Sequence, residues 1–423
     1  MSPAVITLLF LLFAIVMFVW EKIPLALTSM IVCVGLVVTG VLEPKAAFNG
    51  FVNTNVILFV GMFVVGGALF ETGMANKIGG IVTKFAKSER QLIVAIMVIV
   101  GVMSGFLSNT GTAAVLIPVV VGIAAKSGFA RSRLLMPLVF AAAMGGNLSL
   151  IGAPGNMIAQ SALQEIGLKF GFFEYGLVGL PILVCGIIYF ALFGYKLLPK
   201  AKPAADGDST FDEQADYSSV PKWKQVLSLV ILIATILAMI FEDFIGIPLY
   251  VSSSIGAILL VLTRVMTEKQ AYKSIDMQTI FLFGGTLALA SALESTGAGA
   301  MIADAVIGLL GQNASPYILL LAVLLLSAVL TNFMSNTATT ALLVPISLSI
   351  ATGMGADPRA VLMATVIGGS MAYATPIGMP ANTMVLSIGG YKFRDYAKAG
   401  VPLMVVALVV SMILLPIFFP FYP

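Results

Sequence analysis

The sequence contains no histidine, only two cysteines, and few charged residues, which make up 10% of the chain. Without histidine there is no imidazole proton relay, no histidine metal ligand, and no catalytic pair of serine or cysteine with histidine. Cys33 and Cys185 both lie in apolar runs, so they provide neither a disulfide framework nor a metal site. The small net charge of +3 gives no indication of nucleic-acid binding. These absences argue against an enzyme.

Apolar residues dominate instead, at 60% of 423 residues. A soluble domain is usually about one quarter charged, so this composition predicts an integral membrane protein. The N-terminal apolar run has no basic segment and no cleavage site of small residues before Glu21. We therefore interpret it as a retained transmembrane helix rather than a signal peptide.

A membrane-spanning helix needs about 20 mostly apolar residues. Two apolar segments do not fit this rule, because 91–126 and 316–351 are too long for one span and too short for two spans with a loop. We predict that each is a re-entrant hairpin of two half-helices whose tip lines a protein-enclosed or watery cavity. Ten full spans are predicted at 4–20, 24–42, 54–72, 134–162, 174–196, 224–242, 246–264, 278–293, 358–388 and 400–420.

Three motifs recur in the same order, shifted by 224 to 227 positions, which indicates an internal duplication. They are IPL at 23–25 and 247–249, SNTGTAAVLIP at 108–118 with SNTATTALLVP at 335–345, and IGAPGN at 151–156 with IGMPAN at 377–382. Each half has five spans and one hairpin. Because five is odd, the second half enters the membrane from the opposite side, as in many secondary transporters.

The predicted fold is therefore an all-α polytopic membrane protein with two inverted five-helix repeats, each containing a re-entrant hairpin and a broken helix. Residues 1–198 form the first repeat and 224–423 the second, joined by a cytoplasmic linker at 199–223. The first repeat comprises scaffold helices in 4–72, hairpin 91–126 and broken helix 134–162; the second comprises scaffold helices in 224–293, hairpin 316–351 and broken helix 358–388.

The basic residues predict the orientation in the cell membrane. With both termini outside, 19 of the 22 lysines and arginines fall in cytoplasmic segments. The exceptions are Lys45, Lys169 and Arg359. This distribution follows the positive-inside rule.

The two SNT triplets predict a binding site. A half-helix that ends in the membrane presents unpaired backbone groups and a partial charge. We expect each triplet to end one half-helix and begin the next. Carbonyls near Ser108 and Ser335 would then be free for a cation, and N–H groups following Thr110 and Thr337 for an anion.

A second polar break follows each hairpin, at 145–156 and 372–382. A simple kink could explain one such break, but two at equivalent positions favour a site, to which Ser149 and Thr375 would each bring a hydroxyl. No charged residue occurs in the hairpins or broken helices, at 91–125, 134–164, 316–351 and 360–388. Proton-coupled transporters usually keep an ionisable group in their pathway, so coupling to Na⁺ is favoured over coupling to H⁺.

The paired SNT motifs, each followed about 40 residues later by I-G-x-P-x-N, resemble the divalent anion–sodium symporter family, the INDY-type dicarboxylate transporters. The resemblance implies a homodimer with elevator-type alternating access and Na⁺-coupled symport of a divalent anion, foremost a C4-dicarboxylate such as succinate, malate or fumarate. It also implies two or more Na⁺ sites in each protomer.

The resemblance also assigns residues. The first Na⁺ site would use Ser104, Ser108, Asn109 and a carbonyl near Leu148, and the second Thr331, Ser335, Asn336 and a carbonyl near Ala374. The substrate carboxylates would meet Asn109, Thr110, Asn336 and Thr337, with Ser149, Thr375 and Pro376 lining the pocket.

Gly111, Leu148 and the APGN and MPAN breaks depart from the family pattern and leave the substrate open. The alternatives are sulfate, citrate or tartrate transport, sodium-independent dicarboxylate exchange, and inorganic ion transport as in the wider superfamily. Ser104 and Thr331, each one helical turn before its triplet, favour symport.

Overall fold

The computed structural model describes residues 1–20, 22–80, 88–199, 217, 219–310 and 315–422. These residues form helices joined by turns, and the described part of the chain contains no β-strand. Most of the predicted linker 199–223 lies outside the described residues, so the division into domains stays a prediction.

The first half begins with four helices and a short 3₁₀ turn, and it continues through the first hairpin, the broken helix and a last long helix. The helices are α1 (Pro3–Trp20), α2 (Leu25–Val38), α3 (Pro44–Phe48), α4 (Thr54–Glu71), α5 (Met74–Gly80), α6 (Glu89–Ser104), α7 (Asn109–Ser127), α8 (Arg131–Gly145), α9 (Pro154–Glu165), α10 (Glu174–Tyr189) and α11 (Tyr195–Leu197). A π-helical turn at Phe190–Gly194 joins α10 to α11.

The second half repeats this order. Its helices are α12 (Lys222–Ile240), α13 (Glu242–Ile245), α14 (Leu249–Leu262), α15 (Glu268–Ser274), α16 (Met277–Ser295), α17 (Ala298–Leu310), α18 (Pro316–Leu330), α19 (Asn336–Gly353), α20 (Arg359–Gly369), α21 (Pro380–Ile388) and α22 (Phe393–Phe418). Among the described residues, six helical segments are long and apolar enough to cross a membrane, by length and composition.

The two halves pack against each other through equivalent helices. α2 packs against α16, and its counterpart α14 packs against α4, the counterpart of α16. Both crossings are close because they are built from small residues: a Cβ added at Gly285 would lie 2.6 Å from the Ser29 carbonyl oxygen, and one at Gly61 would lie 2.6 Å from Ser253 Oγ. Small residues let helix backbones approach in this way within membranes. The chain is an all-α polytopic membrane protein of two inverted repeats, which confirms the predicted fold class.

Both predicted hairpins and both broken helices are present. α6 and α7 form the first hairpin, and α18 and α19 the second; α8 with α9 and α20 with α21 form the broken helices. α9 and α21 each begin with proline at the first helical position, where the missing N–H costs no hydrogen bond.

The hairpin turns differ from prediction in one respect. α6 ends at Ser104 and α18 ends at Leu330, so the chain turns before each triplet. Ser108 and Ser335 are then the N-caps of α7 and α19, a position that serine favours. Each triplet therefore begins the second half-helix, but it does not end the first.

Candidate functional site

The hairpin tips present the N-terminal ends of α7 and α19. Ser108 Oγ accepts a hydrogen bond from Gly111 N at 3.1 Å, and Ser335 Oγ accepts one from Ala338 N at 3.2 Å. The carbonyls of the two serines accept from amides in the next helical turn, and their predicted part in cation binding stays a prediction. The amides of Asn109 and Thr110 have no acceptor within the described residues, and they remain available to a ligand.

Behind the first tip, the side-chain amide of Asn109 faces three oxygens. One amide atom lies 2.7 Å from Ser104 Oγ, 3.2 Å from the Ala142 carbonyl oxygen and 3.3 Å from the Gly152 carbonyl oxygen. The oxygens come from the end of α6, from α8 and from the break before α9. Hydrogen bonding favours an amide nitrogen at this position, where it donates to the three oxygens. With the amide turned over, its oxygen would complete an oxygen cage for a bound cation.

The second tip repeats this cage at equivalent positions. One amide atom of Asn336 lies 2.7 Å from Thr331 Oγ1 and 3.2 Å from the carbonyl oxygens of both Gly369 and Gly378. Neutral oxygens from side chains and unwound backbone are the groups that hold Na⁺ in discontinuous transporter helices. The residue types of both cages are therefore of the kind that holds Na⁺.

The carbonyls in the cages are not those that the resemblance named. The Leu148 carbonyl oxygen points at Gly176 of α10, where an added Cβ would lie only 2.8 Å away. Ala374 meets the second hairpin through its amide, which donates to Asn332 Oδ1 at 2.8 Å. The participation of these two residues in cation binding stays a prediction.

A cavity of about 370 Å³ lies between the two tips. Residues from both triplets, both breaks and the scaffold side of the molecule form its wall. They include Leu25, Phe63, Ser108, Asn109, Thr110, Gly111, Pro154, Gly155, Ser274, Asp276, Gln278, Thr279, Ser335, Asn336, Thr337, Thr340, Ser370, Met379 and Pro380.

Four helices of the hairpins and broken helices, α7, α9, α19 and α21, begin at this wall. The N-terminal end of a helix carries a partial positive charge and offers N–H groups, so it attracts anions. The arrangement can therefore hold a small anion, although no basic side chain is among the described residues of the cavity wall.

Ser149, Thr375 and Pro376 lie away from the wall. Ser149 Oγ donates to the Gly105 carbonyl oxygen at 2.5 Å, and Thr375 Oγ1 donates to the Asn332 carbonyl oxygen. The Pro376 carbonyl oxygen accepts from Thr383 Oγ1 at 2.9 Å. The two hydroxyls thus tie each break to a hairpin turn, and their predicted contact with substrate stays untested.

Two further asparagines, to which the sequence motifs assigned no role, shape the site. Asn156 Nδ2 donates to the carbonyl oxygens of Gly146 and Ser149 at 2.9 and 2.7 Å, and Asn382 Nδ2 donates to those of Ala372 and Thr375 at 2.7 and 3.1 Å. Both residues are fully buried. They hold the two breaks in shape. The sequence pattern that could have identified them is the asparagine that ends both IGAPGN and IGMPAN.

Two further cavities adjoin the site, and a polar contact joins α4 to α9. The cavity shares wall residues with two further cavities, of about 540 and 250 Å³, whose walls include Glu71, Lys273 and Met384. Elsewhere, Asn55 at the start of α4 donates to Ser161 Oγ and Gln164 Oε1 at the end of α9, at 2.7 and 2.9 Å. These contacts hold the scaffold helix against the broken helix.

Similar proteins are transporters. The chain is 26% identical to an uncharacterised transporter, YfbS, of Escherichia coli, over 96% of this chain and 98% of that protein. It is 24% identical to the sodium-dependent dicarboxylate transporter SdcS of Staphylococcus aureus, over 90% of this chain and 79% of that protein.

Two solved structures share the fold. The YdaH transporter of Alcanivorax borkumensis matches with a TM-score of 0.68 at 14% identity, over 99% of this chain and 98% of that chain. MtrF of Neisseria gonorrhoeae matches with a TM-score of 0.66 at 15% identity, over 92% and 87%.

The family model described as the citrate transporter CitMHS matches residues 15–368, most of the chain. Together with the relatives, this match confirms the resemblance predicted from the paired motifs. It also confirms a transporter rather than an enzyme. The chain belongs to the CitMHS citrate transporter family, and it is a multi-pass membrane transporter of that family.

Proposed function

We propose that the protein is a secondary active transporter that couples the movement of Na⁺ to that of a divalent anion, foremost a C4-dicarboxylate. The observation that carries the proposal is the pair of oxygen cages around Asn109 and Asn336. Each cage lies directly behind a helix N-terminus that faces one shared cavity. Cation and anion would therefore bind on opposite sides of the same asparagine.

The asparagines explain the coupling physically. A cation in the cage fixes the side-chain amide with its oxygen turned toward the ion, and its charge adds to the positive end of the helix. Both effects stabilise an anion at the tip. The anion in turn favours the cation, because binding free energies are coupled reciprocally. Two Na⁺ ions, one in each cage, would balance the charge of a dicarboxylate.

The two carboxylates of the substrate would each meet one tip, through Asn109 and Thr110 at the first and Asn336 and Thr337 at the second. The sodium-dependent dicarboxylate transporter SdcS among the relatives supports this substrate class. The family description names citrate, which makes a tricarboxylate the second candidate. Ser149, Thr375 and Pro376 would shape the pocket from behind its wall.

The transport cycle follows from the division of the site. The hairpins and broken helices would move as one body past α4 and α16, as an elevator, within a homodimer in the cell membrane. With both termini outside, the cavities next to Lys273 would face the cytoplasm. The contacts of Asn55 would close the outer side, so the structure would represent an inward-open state.

Uptake of labelled succinate into proteoliposomes tests the proposal. We expect uptake with an inward Na⁺ gradient, saturable in both Na⁺ and succinate, and no uptake when K⁺ or choline replaces Na⁺. Succinate, malate, fumarate, citrate and sulfate, added as competitors in the same assay, rank the substrates.

Two outcomes would contradict it. Uptake that persists without Na⁺ but requires an anion inside the vesicles would establish exchange. Competition by sulfate alone would exclude a dicarboxylate as the substrate.

A further inference from the structure

One carboxylate stands on the wall of the substrate cavity. Among the described residues that line it, Asp276 is the only one with an ionisable side chain, and it is exposed. It is the N-cap of α16, a scaffold helix, and it lines the same cavity as the hairpin tips. A negative charge here is unexpected in a cavity for anions, and the hairpin motifs gave no sign of it.

Asp276 caps its own helix. Its Oδ2 accepts from Thr279 Oγ1 at 2.5 Å, and its Oδ1 accepts from Thr279 N at 3.3 Å. The positive end of α16 is therefore already met by a carboxylate, unlike the ends of α7 and α19, which are capped by neutral serines. A substrate anion would therefore be attracted to the tips of α7 and α19 and repelled by the carboxylate of Asp276.

The first repeat has a neutral residue at the equivalent place. Asn53 caps α4 by accepting from Asn55 N at 2.9 Å. The equivalent helix of the first repeat is thus capped by a neutral amide in place of a carboxylate. A negative charge is therefore not required to cap a helix at this position. The charge of Asp276 can act on a ligand in the cavity instead.

We infer that Asp276 is a specificity-determining residue that limits the charge of the transported anion, and that it favours dianions over trianions. This inference rests on the proposed function, because it concerns the same cavity and the same substrates. The repulsion grows with each negative charge on the substrate, so a third carboxylate is disfavoured more than the second. This discrimination between dianions and trianions needs no steric clash with the substrate, because the fixed charge of Asp276 is sufficient.

The size of the effect follows from Coulomb's law. Two unit charges a few ångströms apart in water interact with an energy that corresponds to about a threefold to fivefold change in binding. Since Asp276 is exposed, salt screens part of this effect. Each added charge on the substrate should therefore cost about this factor in affinity at low ionic strength.

The test compares wild type with Asp276→Asn and Asp276→Ser, the second using the residue that caps α7 and α19. Glu268→Gln, which removes one charge from exposed α15 without touching the cavity wall, is the control. Inhibition of labelled succinate uptake into proteoliposomes is measured for succinate, tricarballylate and citrate, at a pH that ionises every carboxyl group. Because asparagine has the shape of aspartate, differences in probe size cancel between wild type and Asp276→Asn.

We expect the ratio of the inhibition constants for trianion and dianion to fall threefold to fivefold in both Asp276 variants. It should stay unchanged in Glu268→Gln, and the difference should shrink at high ionic strength. An unchanged ratio in a variant that still takes up succinate overturns the inference. So does a higher Na⁺ requirement without a change in the ratio, which would make Asp276 a cation ligand.

Failure of the proposed function has a separate signature. If wild type takes up neither succinate nor citrate, the proposed function is wrong, and the inference about Asp276 falls with it. If wild-type uptake is normal and only the charge ratio fails to move, the proposed function stands and the inference alone is wrong.

Discussion

The two halves of the molecule build nearly identical cages but different surroundings. Ser104 Oγ and Thr331 Oγ1 each lie 2.7 Å from the amide of their asparagine, and each cage adds two carbonyls at 3.2 to 3.3 Å. By contrast, the caps of the equivalent helices α4 and α16 are Asn53 and Asp276. Symmetry is kept where a small spherical ion would bind, and it is lost on the wall that a larger ligand would meet.

The inversion of the repeats explains why Asn53 and Asp276 differ. Asn53 lies beside the contacts that join α4 to α9, where its Oδ1 accepts from Ser161 Oγ at 3.3 Å, whereas Asp276 lines the cavity. Equivalent residues thus lie in different surroundings within one conformation. A substitution in one repeat can change one side of the pathway and leave the other as it was.

The largest effect on transport should come from replacing an asparagine that would contact both the cation and the anion. Asn109→Ala and Asn336→Ala each remove a cage ligand and alter the tip that would meet the anion. We expect Na⁺-driven uptake to fall at least a hundredfold in either variant, consistent with the loss of several hydrogen bonds to charged groups. Uptake in proteoliposomes measures it, with size-exclusion chromatography as a check on folding.

Thr352→Ala, which removes an exposed hydroxyl at the far end of α19, is the control and should transport normally. Normal uptake by either asparagine variant would rule out the proposed site.

Replacing the buried asparagines of the breaks should lower the stability of the protein in both cases, and more for the second break than for the first. Asn382→Ala leaves the carbonyls of Ala372 and Thr375 without a donor, whereas Asn156→Ala leaves only that of Gly146, because the Ser149 carbonyl still accepts from Gly152 N at 3.3 Å. An unpaired buried carbonyl costs about 1 to 3 kcal/mol. A thermal unfolding assay in detergent should show lower melting temperatures for both.

Tyr175→Phe and Tyr396→Phe provide a milder matched pair. Tyr175 and Tyr396 donate to the carbonyl oxygens of Asn156 and Asn382 at 3.0 and 2.7 Å. The loss of each bond should cost about 1 kcal/mol. A large loss of stability in only one of the two variants would show that the two breaks, although alike in structure, do not contribute equally to stability.

Replacing the hydroxyl groups of Ser104 and Thr331 tests whether the two cages contribute equally to Na⁺ binding. Ser104→Ala and Thr331→Ala each remove one of four oxygens, and we expect about a tenfold increase in the Na⁺ concentration for half-maximal uptake. Thr331→Ser keeps the oxygen and should behave as wild type. If the alanine variants change the affinity for succinate but not for Na⁺, the cages do not hold the cation.

The smallest expected effects are on stability, and they concern a turn that occurs at the equivalent place in both repeats. Gly40 and Arg264 hold equivalent places with φ of 72° and 59°, and Arg264 is the only described residue other than glycine with positive φ. A Cβ at Gly40 meets no atom within 4 Å, so Gly40→Ala should cost only the conformational strain of about 1 kcal/mol.

Arg264→Gly should stabilise the protein by a similar amount, and the two variants should shift the melting temperature in opposite directions. Shifts of the same sign would mean that the charge of Arg264, rather than its backbone, determines its effect.

Much of the architecture could be predicted because duplication and hydropathy are local properties of the chain. The hairpins, the broken helices and the central asparagines followed from the motifs and their spacing. The turn before each triplet was missed because serine caps the helix that follows it. The carbonyls of Ala142 and Gly152 could not be identified, because any residue supplies a carbonyl and only the path of the chain decides which one faces Asn109.

The sequence by itself determined a membrane protein with two inverted repeats and a polar break at each hairpin tip, because apolar length and repeated motifs do not depend on distant contacts. Only the tertiary structure decided that Ser149 and Thr375 support the site from behind, and that Asp276 shares the cavity with the triplets. Asp276 and the first tip are more than 150 residues apart in sequence. Their proximity arises from the packing of one repeat against the other, which no local pattern encodes.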